Sequence, residues 1–175
     1  MPALGTRAPD FALPEPAGDR VWALADFDAE ALVVVFTCNH CPYAQAVEER
    51  IIALARGFVG RADFVAISAN DATSFPDDAP AEIAQRARDK DYPFPYLYDE
   101  TQAVARAYGA ACTPDFFLYD ADRKLAYRGR LDDNWQEPER VEHEELRDAI
   151  AAVLAGVPTA EPQLPALGCN IKWRE

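Results

Sequence analysis

The segment Ala31-Leu-Val-Val-Val-Phe36 is an unbroken apolar run, rich in β-branched side chains, with no polar position to turn toward water. A strand with one wet face alternates apolar and polar residues. An unbroken run reads instead as a strand covered on both faces, which requires a layer of structure on each side of it. The run leads directly into Thr37 and Cys38-Asn39-His40-Cys41. From Asn39 onward the apolar period lengthens: Val47, Ile51, Leu54 and Phe58 recur at helical spacing, and Gly57 and Gly60 mark the helix end. A buried strand therefore ends in a close cysteine pair where a helix begins.

Around this unit the chain alternates in the same way. Phe11-Leu13 and Val21-Leu24 read as short strands, Asp63-Ser68 as a further buried strand, and Pro80 to about Lys90 as a helix with Pro in its first turn. Tyr92-Tyr98 is broken by prolines and suits only a short or edge strand. Asp99 with Gln102 suggests a capping pair for a helix ending near Tyr108-Gly109. Asp115-Tyr119 and Leu125-Arg128 flank a turn and predict a β-hairpin, and a last helix is expected from Arg140 to Ala155. Crossovers through helices imply parallel strands, and the hairpin adds antiparallel ones. The expected fold is a mixed α/β sheet flanked by helices on both faces. At 175 residues it forms a single domain, 1-175, with an N-terminal β extension (1-30) and a proline-punctuated C-terminal tail (156-175).

Half of the residues are hydrophobic, enough for a core without disulfide staples, so the four cysteines do not read as a secreted scaffold. A formal charge of −13 repels phosphate backbones, which excludes nucleic acid as an expected partner. No apolar run approaches the ~20 residues of a membrane span. The first residues lack the basic start and apolar stretch of a signal peptide. A cytoplasmic setting is expected, where a CxxC pair cycles between redox states.

The first N–H groups of a helix are unpaired and carry the positive end of its dipole. A thiolate beside them is stabilised, so Cys38 is expected to have a lowered pKa and to act as the nucleophile. Cys41, one turn further into the helix, resolves the mixed disulfide. Pro42 loses nothing in a first turn, where its missing N–H has no partner to begin with. His40, as imidazolium, adds positive charge beside Cys38 and makes the pair more oxidising; the alternative is a solvated surface histidine. CxxC is also half of a zinc site, but Cys112, His143 and Cys169 form no second close pair, and no metal is expected.

Beyond the dithiol, the chain carries Gly5-Thr-Arg-Ala-Pro-Asp-Phe11, Val35-Phe-Thr-Cys-Asn-His-Cys-Pro-Tyr43, Ser68-Ala-Asn-Asp71, Cys112-Thr-Pro-Asp-Phe-Phe117 and Gly168-Cys-Asn-Ile-Lys-Trp173. This combination resembles the thioredoxin-like branch of the AhpC/TSA (redoxin) group. The resemblance implies a thioredoxin fold with Cys38 and Cys41 as the active pair. It also implies a cis Thr113-Pro114 peptide facing that pair, so that Asn39, His40, Thr113 and Pro114 bind or tune the substrate disulfide. In the group's peroxidases a Thr or Ser stands three residues before the reactive Cys; here Val35 precedes Cys38 by three. Thioredoxins carry a buried Asp on the strand before the motif; here that strand has no acid.

The function expected is a thiol–disulfide oxidoreductase acting on protein or small-molecule disulfides. It has no cofactor beyond its redox-active disulfide and is recycled by an external reductase or thiol donor. The alternatives are a peroxiredoxin-like antioxidant peroxidase and a copper carrier of the same fold. Cys112 and Cys169 are either auxiliary thiols exchanging with the active pair or small buried hydrophobes.

Overall fold

In the computed structural model, which describes residues 1–175, the chain runs β1 (Ala12–Glu15), β2 (Arg20–Ala23), β3 (Ala31–Phe36), α1 (Pro42–Gly57), β4 (Ala62–Ser68), α2 (Pro80–Asp89), β5 (Tyr96–Tyr98), α3 (Ala103–Tyr108), β6 (Cys112–Thr113), β7 (Asp115–Tyr119), β8 (Leu125–Gly129), α4 (Glu145–Ala155) and β9 (Cys169–Asn170). The apolar run is β3, the central strand of a five-stranded sheet ordered β5-β4-β3-β7-β8. β4 lies parallel to β3 and β5 parallel to β4. The hairpin β7-β8 joins antiparallel to the other edge of β3. The proline-rich Tyr92–Tyr98 stretch yields only the three-residue edge strand β5, in line with its missing donors.

All six residues of β3 are buried, none more than 1 % exposed. Burial of side chains this size is worth roughly 1.5–3 kcal/mol each, which fixes the strand's register. Val33 and Val35 face one core with Val47, Ile51 and Leu54 of α1, Ile83 of α2 and Leu146 and Ile150 of α4. Leu32, Val34 and Phe36 face a second core closed by Tyr108 of α3, by Phe11 and Phe27 of the N-terminal extension, and by Ile171 of the tail. Helices lie on both faces as expected, but only α3 covers the second. The extension and the tail complete that layer. Within the extension β1 and β2 pair only with each other.

Three elements differ from the sequence expectation. α1 begins at Pro42, with Cys41 as its N-cap in an extended conformation. α4 begins at Glu145, since the Glu142 N–H is held by Asp133 Oδ1 and the His143 carbonyl by the Asp133 N–H, which leaves that stretch extended. At α3, Asp99 does cap, accepting the Ala105 N–H at 2.8 Å. Gln102 instead reaches out of the helix to the carbonyls of Ala69 and Lys172.

The tail is therefore part of the fold. Gln163 and Thr159 donate to the Ala126 carbonyl, and Gln163 Oε1 accepts from Arg128, so the tail covers the β8 edge. Further on, β9 pairs antiparallel with β6, setting Cys169 opposite Thr113 and Asn170 opposite Cys112. Gly168 allows this approach: a Cβ there would lie 2.1 Å from the Thr113 carbonyl oxygen. No helix is long and apolar enough to cross a membrane.

Candidate active site

The carboxyl end of β3 delivers the cysteine pair. The Thr37 N–H still donates to the Ile67 carbonyl, after which the chain leaves the sheet. Cys38 lies in the loop, and Cys41 caps α1 instead of lying a turn inside it. Pro42 occupies the first helical position, as its chemistry favours. All four cysteines are free thiols. Cys38 is 5 % exposed and Cys41 fully buried.

Thr113 meets both sulfurs. Its hydroxyl lies 3.5 Å from Cys38 Sγ, and its carbonyl oxygen lies 3.2 Å from Cys41 Sγ, placed to accept the thiol proton. The Thr113-Pro114 peptide is cis and faces the dithiol, as the resemblance implied.

Between the cysteines, Asn39 is buried and fully engaged. Its N–H donates to Asp78 Oδ1 at 2.7 Å and its amide to the Asp77 carbonyl at 2.9 Å, while its own oxygen accepts from Tyr96. It braces the loop between the two cysteines. His40 pairs through Nδ1 with Asp78 Oδ2 and stacks on Phe75, ring centroids 5.2 Å apart. Asp78 is wholly buried and accepts from Asn39, His40 and Asn70. The imidazole expected to favour a Cys38 thiolate thus stands beside a carboxylate that opposes one.

The two thiols titrate as a unit: once one ionises, the other holds its proton against it. The charge settles on Cys41. The Cys38 thiol is the first cause pulling it down, against burial, with Cys169, Thr113 and the Ala44 N–H adding to the pull. Cys38 is pushed up by its hydrogen bond to Cys41, then by burial, with Asp78 adding repulsion against the Thr113 hydroxyl. This corrects the expectation of a lowered pKa at Cys38. The helix start favours the cysteine that caps it, and that is Cys41.

The remaining two cysteines part company. Cys112 is 8 % exposed, with its sulfur toward the carbonyls of Pro114 and Ala166; burial raises it to about 12. Cys169 is half-buried and packs on the small cluster of Cys38, Cys41 and Ala44. Beside Pro114 a cleft opens between Tyr43, Leu131, Trp135 and Leu167. His143 is exposed and lies with Asp133 and Glu142, away from the thiols.

Two acids escaped the sequence reading. Asp78 sits in the polar loop after β4 with no motif around it. Asp115, directly after Pro114, stands in the Cys112–Phe117 motif and at the start of a strand, and neither assigns it a role. Burial lifts its carboxyl to about 6 against the N–H groups of Ala111, Cys112 and Phe116.

The AhpC/TSA family matches residues 4–128. Among solved structures, an uncharacterized conserved protein from Geobacillus kaustophilus is 45 % identical, with a TM-score of 0.94, over 99 % of this chain and 94 % of that one. A hypothetical protein from Sinorhizobium meliloti is 44 % identical, with a TM-score of 0.93, over 99 % and 96 %. A secreted disulfide oxidoreductase from Mycobacterium tuberculosis shares the fold at 17 % identity, with a TM-score of 0.62, over 81 % and 95 %. No curated protein matches. The fold is that of the thioredoxin-like redox proteins.

Proposed function

The chain belongs to the AhpC/TSA family, and from that premise we propose that it is a thiol–disulfide oxidoreductase in which Cys38 attacks a substrate disulfide and Cys41 resolves the intermediate. The observation that carries this reading is the position of Thr113, one residue whose hydroxyl and carbonyl touch the two sulfurs separately. With the single proton of the pair on Cys38, the charge rests on Cys41. When that proton passes to Cys41, it finds the Thr113 carbonyl as acceptor, and the new Cys38 thiolate finds the Thr113 hydroxyl as donor. Cys38 is also the sulfur with access to solvent.

Attack by the Cys38 thiolate breaks the substrate S–S bond, forms a mixed disulfide and releases one substrate thiolate, which takes a proton from water. Cys41, deprotonated again, attacks Cys38 Sγ and expels the second thiolate, leaving the Cys38–Cys41 disulfide. An external dithiol donor then reduces the pair. The cleft beside Pro114, with Tyr43 against Trp135 at 4.2 Å between ring centroids, suits an extended peptide carrying the disulfide. Insulin disulfide reduction, peroxide turnover and metal stoichiometry, measured on one reduced sample, test the proposal. Insulin reduction lost in Cys38→Ser supports it, and peroxide turnover at a comparable rate defeats it.

One observation favours the antioxidant peroxidase as the second reading. The Thr113 hydroxyl lies by Cys38, where the hydroxyl of the missing local Thr would be needed. For a copper carrier, Cys38, His40 and Asp78 offer three donor atoms within 4.8 Å of one another. The Asp78 carboxylate already holds three donors, which disfavours that reading.

A further inference from the structure

We propose that Cys169 is a third redox thiol and that Cys41 pivots between it and Cys38, so that the substrate is served on the Cys38 side and the electron donor on the Cys169 side. The inference rests on the proposed cycling of Cys38 and Cys41.

Cys169 is held in place on both sides. Before it, Gly168 lies against the Thr113 carbonyl, an approach closed to any residue with a Cβ. After it, Ile171 is buried in the second core, and the Lys172 N–H donates to Asn70 Oδ1 at 2.8 Å. The Lys172 carbonyl accepts from Asp71 N–H and Gln102, and the Arg174 N–H donates to Gln102. Trp173 is roofed by the Arg106 guanidinium at 4.3 Å. Between these anchors the β6-β9 register sets Cys169 opposite Thr113, the residue touching both active sulfurs. Its side chain packs on the Cys38–Cys41 cluster while remaining half-exposed. Of the thiols against that cluster it is the one most open to a large partner.

The protonation of Cys169 follows the state of Cys41. Burial first, and then the Cys41 sulfur, raise the Cys169 thiol to about 11, with Lys172 pulling it down. While Cys41 is a thiolate, Cys169 keeps its proton and is inert. Once Cys41 enters a disulfide its charge is gone, and Cys169 ionises more readily. The Cys169 thiolate then attacks Cys41 Sγ: the Cys41–Cys169 bond forms, the Cys38–Cys41 bond breaks, and Cys38 leaves as a thiolate. Electrons are conserved, and the proton lost by Cys169 is taken up at Cys38. A dithiol donor next attacks Cys169 Sγ and releases the Cys41 thiolate. The donor's second thiol displaces Cys169, leaving an oxidised donor and three reduced cysteines. Cys112 takes no part, since its sulfur faces carbonyl oxygens across the tail.

The test uses the full chain. Cys38→Ser, equilibrated with oxidised glutathione, quenched with N-ethylmaleimide and mapped by mass spectrometry, should contain a Cys41–Cys169 peptide. Adding Cys112→Ser to the Cys38→Ser background should leave that bridge intact, and a Cys41–Cys112 peptide in its place in the Cys38→Ser chain would overturn the pivot. Cys169→Ala should still form the Cys38–Cys41 disulfide. Its reduction by a thioredoxin should slow at least about five-fold, with reduction by dithiothreitol nearly unchanged. Glutathione adducts without a Cys41–Cys169 bridge overturn the pivot while leaving the active-pair reading intact. Absence of a Cys38–Cys41 bridge in the wild-type chain sinks both.

Discussion

Replacing Asp78 by Asn isolates the charge that opposes a Cys38 thiolate. The Cys38 thiol is held up first by its hydrogen bond to Cys41, then by burial, with Asp78 contributing repulsion; only the last can be removed with the dithiol and its packing left in place. Donor atoms of Cys38, His40 and Asp78 lie within 4.8 Å of one another. At that distance two like charges in an effective dielectric of 20 repel by about 3.5 kcal/mol. The neighbouring His40 offsets part of this, so a net stabilisation of the thiolate of roughly 1.5–3 kcal/mol is expected. With the resting proton on Cys38, that gain appears when Cys38 ionises to attack: the thiolate fraction grows, its nucleophilicity falls by about half as much on the logarithmic scale, and attack on a disulfide speeds up by roughly 4–15-fold. The substitution also has a structural cost. An introduced asparagine that keeps its oxygen on the Asn39 N–H turns its own amide toward that of Asn70, whose oxygen is committed to Lys172. One unmet buried donor costs about 1–3 kcal/mol. For a chain of this size that lowers Tm by roughly 2–12 °C. Single-turnover reduction of a small aromatic disulfide at 25 °C, well below the transition, reads that rate. A rate that is unchanged or falls, in a variant with the expected loss of Tm, refutes the electrostatic account of the site.

His40→Leu acts in the opposite sense: it strips Asp78 of one partner and leaves the carboxylate facing Cys38, so attack by Cys38 should slow by roughly 2–4-fold, and an unchanged rate would make His40 a surface residue. Cys41→Ser should accumulate a mixed disulfide with a substrate protein on non-reducing gels, whereas Cys38→Ser should not; preferential trapping through Cys41 would reverse the assigned roles. Asp115 is protonated more readily in the folded chain, its carboxyl lifted by burial from 3.8 to about 6, so between those values the folded state binds a proton that the unfolded state has lost. Stability then falls as pH rises through that window, by about 3 kcal/mol in all; Asp115→Asn should remove the fall, and parallel urea profiles for variant and wild type at pH 4 and 7.5 would contradict it.

The parts of the fold that can be read from the chain are those whose signal is local and apolar. β3 announces itself by six apolar residues in a row, and α1 by a 3.6-residue period with glycine at its end. The hairpin β7-β8 shows as two short apolar runs about a polar turn. The start of α4 is not legible in this way, because its boundary is set by bonds from the Asp133 carboxylate and N–H to residues 142–143, which no local pattern announces. The dithiol and Thr113 stand in motifs and are legible. Asp78 is not, since its role comes from burial against Asn39, 39 positions earlier, and nothing in Phe75-Pro-Asp-Asp78 foretells that contact.

The same distinction explains why the thiolate falls on the unexpected sulfur. Reasoning from a helix dipole requires knowing which residue is the cap, and CxxC spacing leaves open which of its cysteines that is. With Pro42 at the first helical position, the cap is Cys41, so the stabilisation assigned to Cys38 belongs to its neighbour. Cys38 is left in the loop, beside a carboxylate, with the Thr113 hydroxyl as its donor. Thr113 is itself fixed from behind by β9, through a glycine that tolerates no side chain. The chemistry at the end of β3 thus depends on a tail far downstream in the chain, pressed against the one residue that both sulfurs touch.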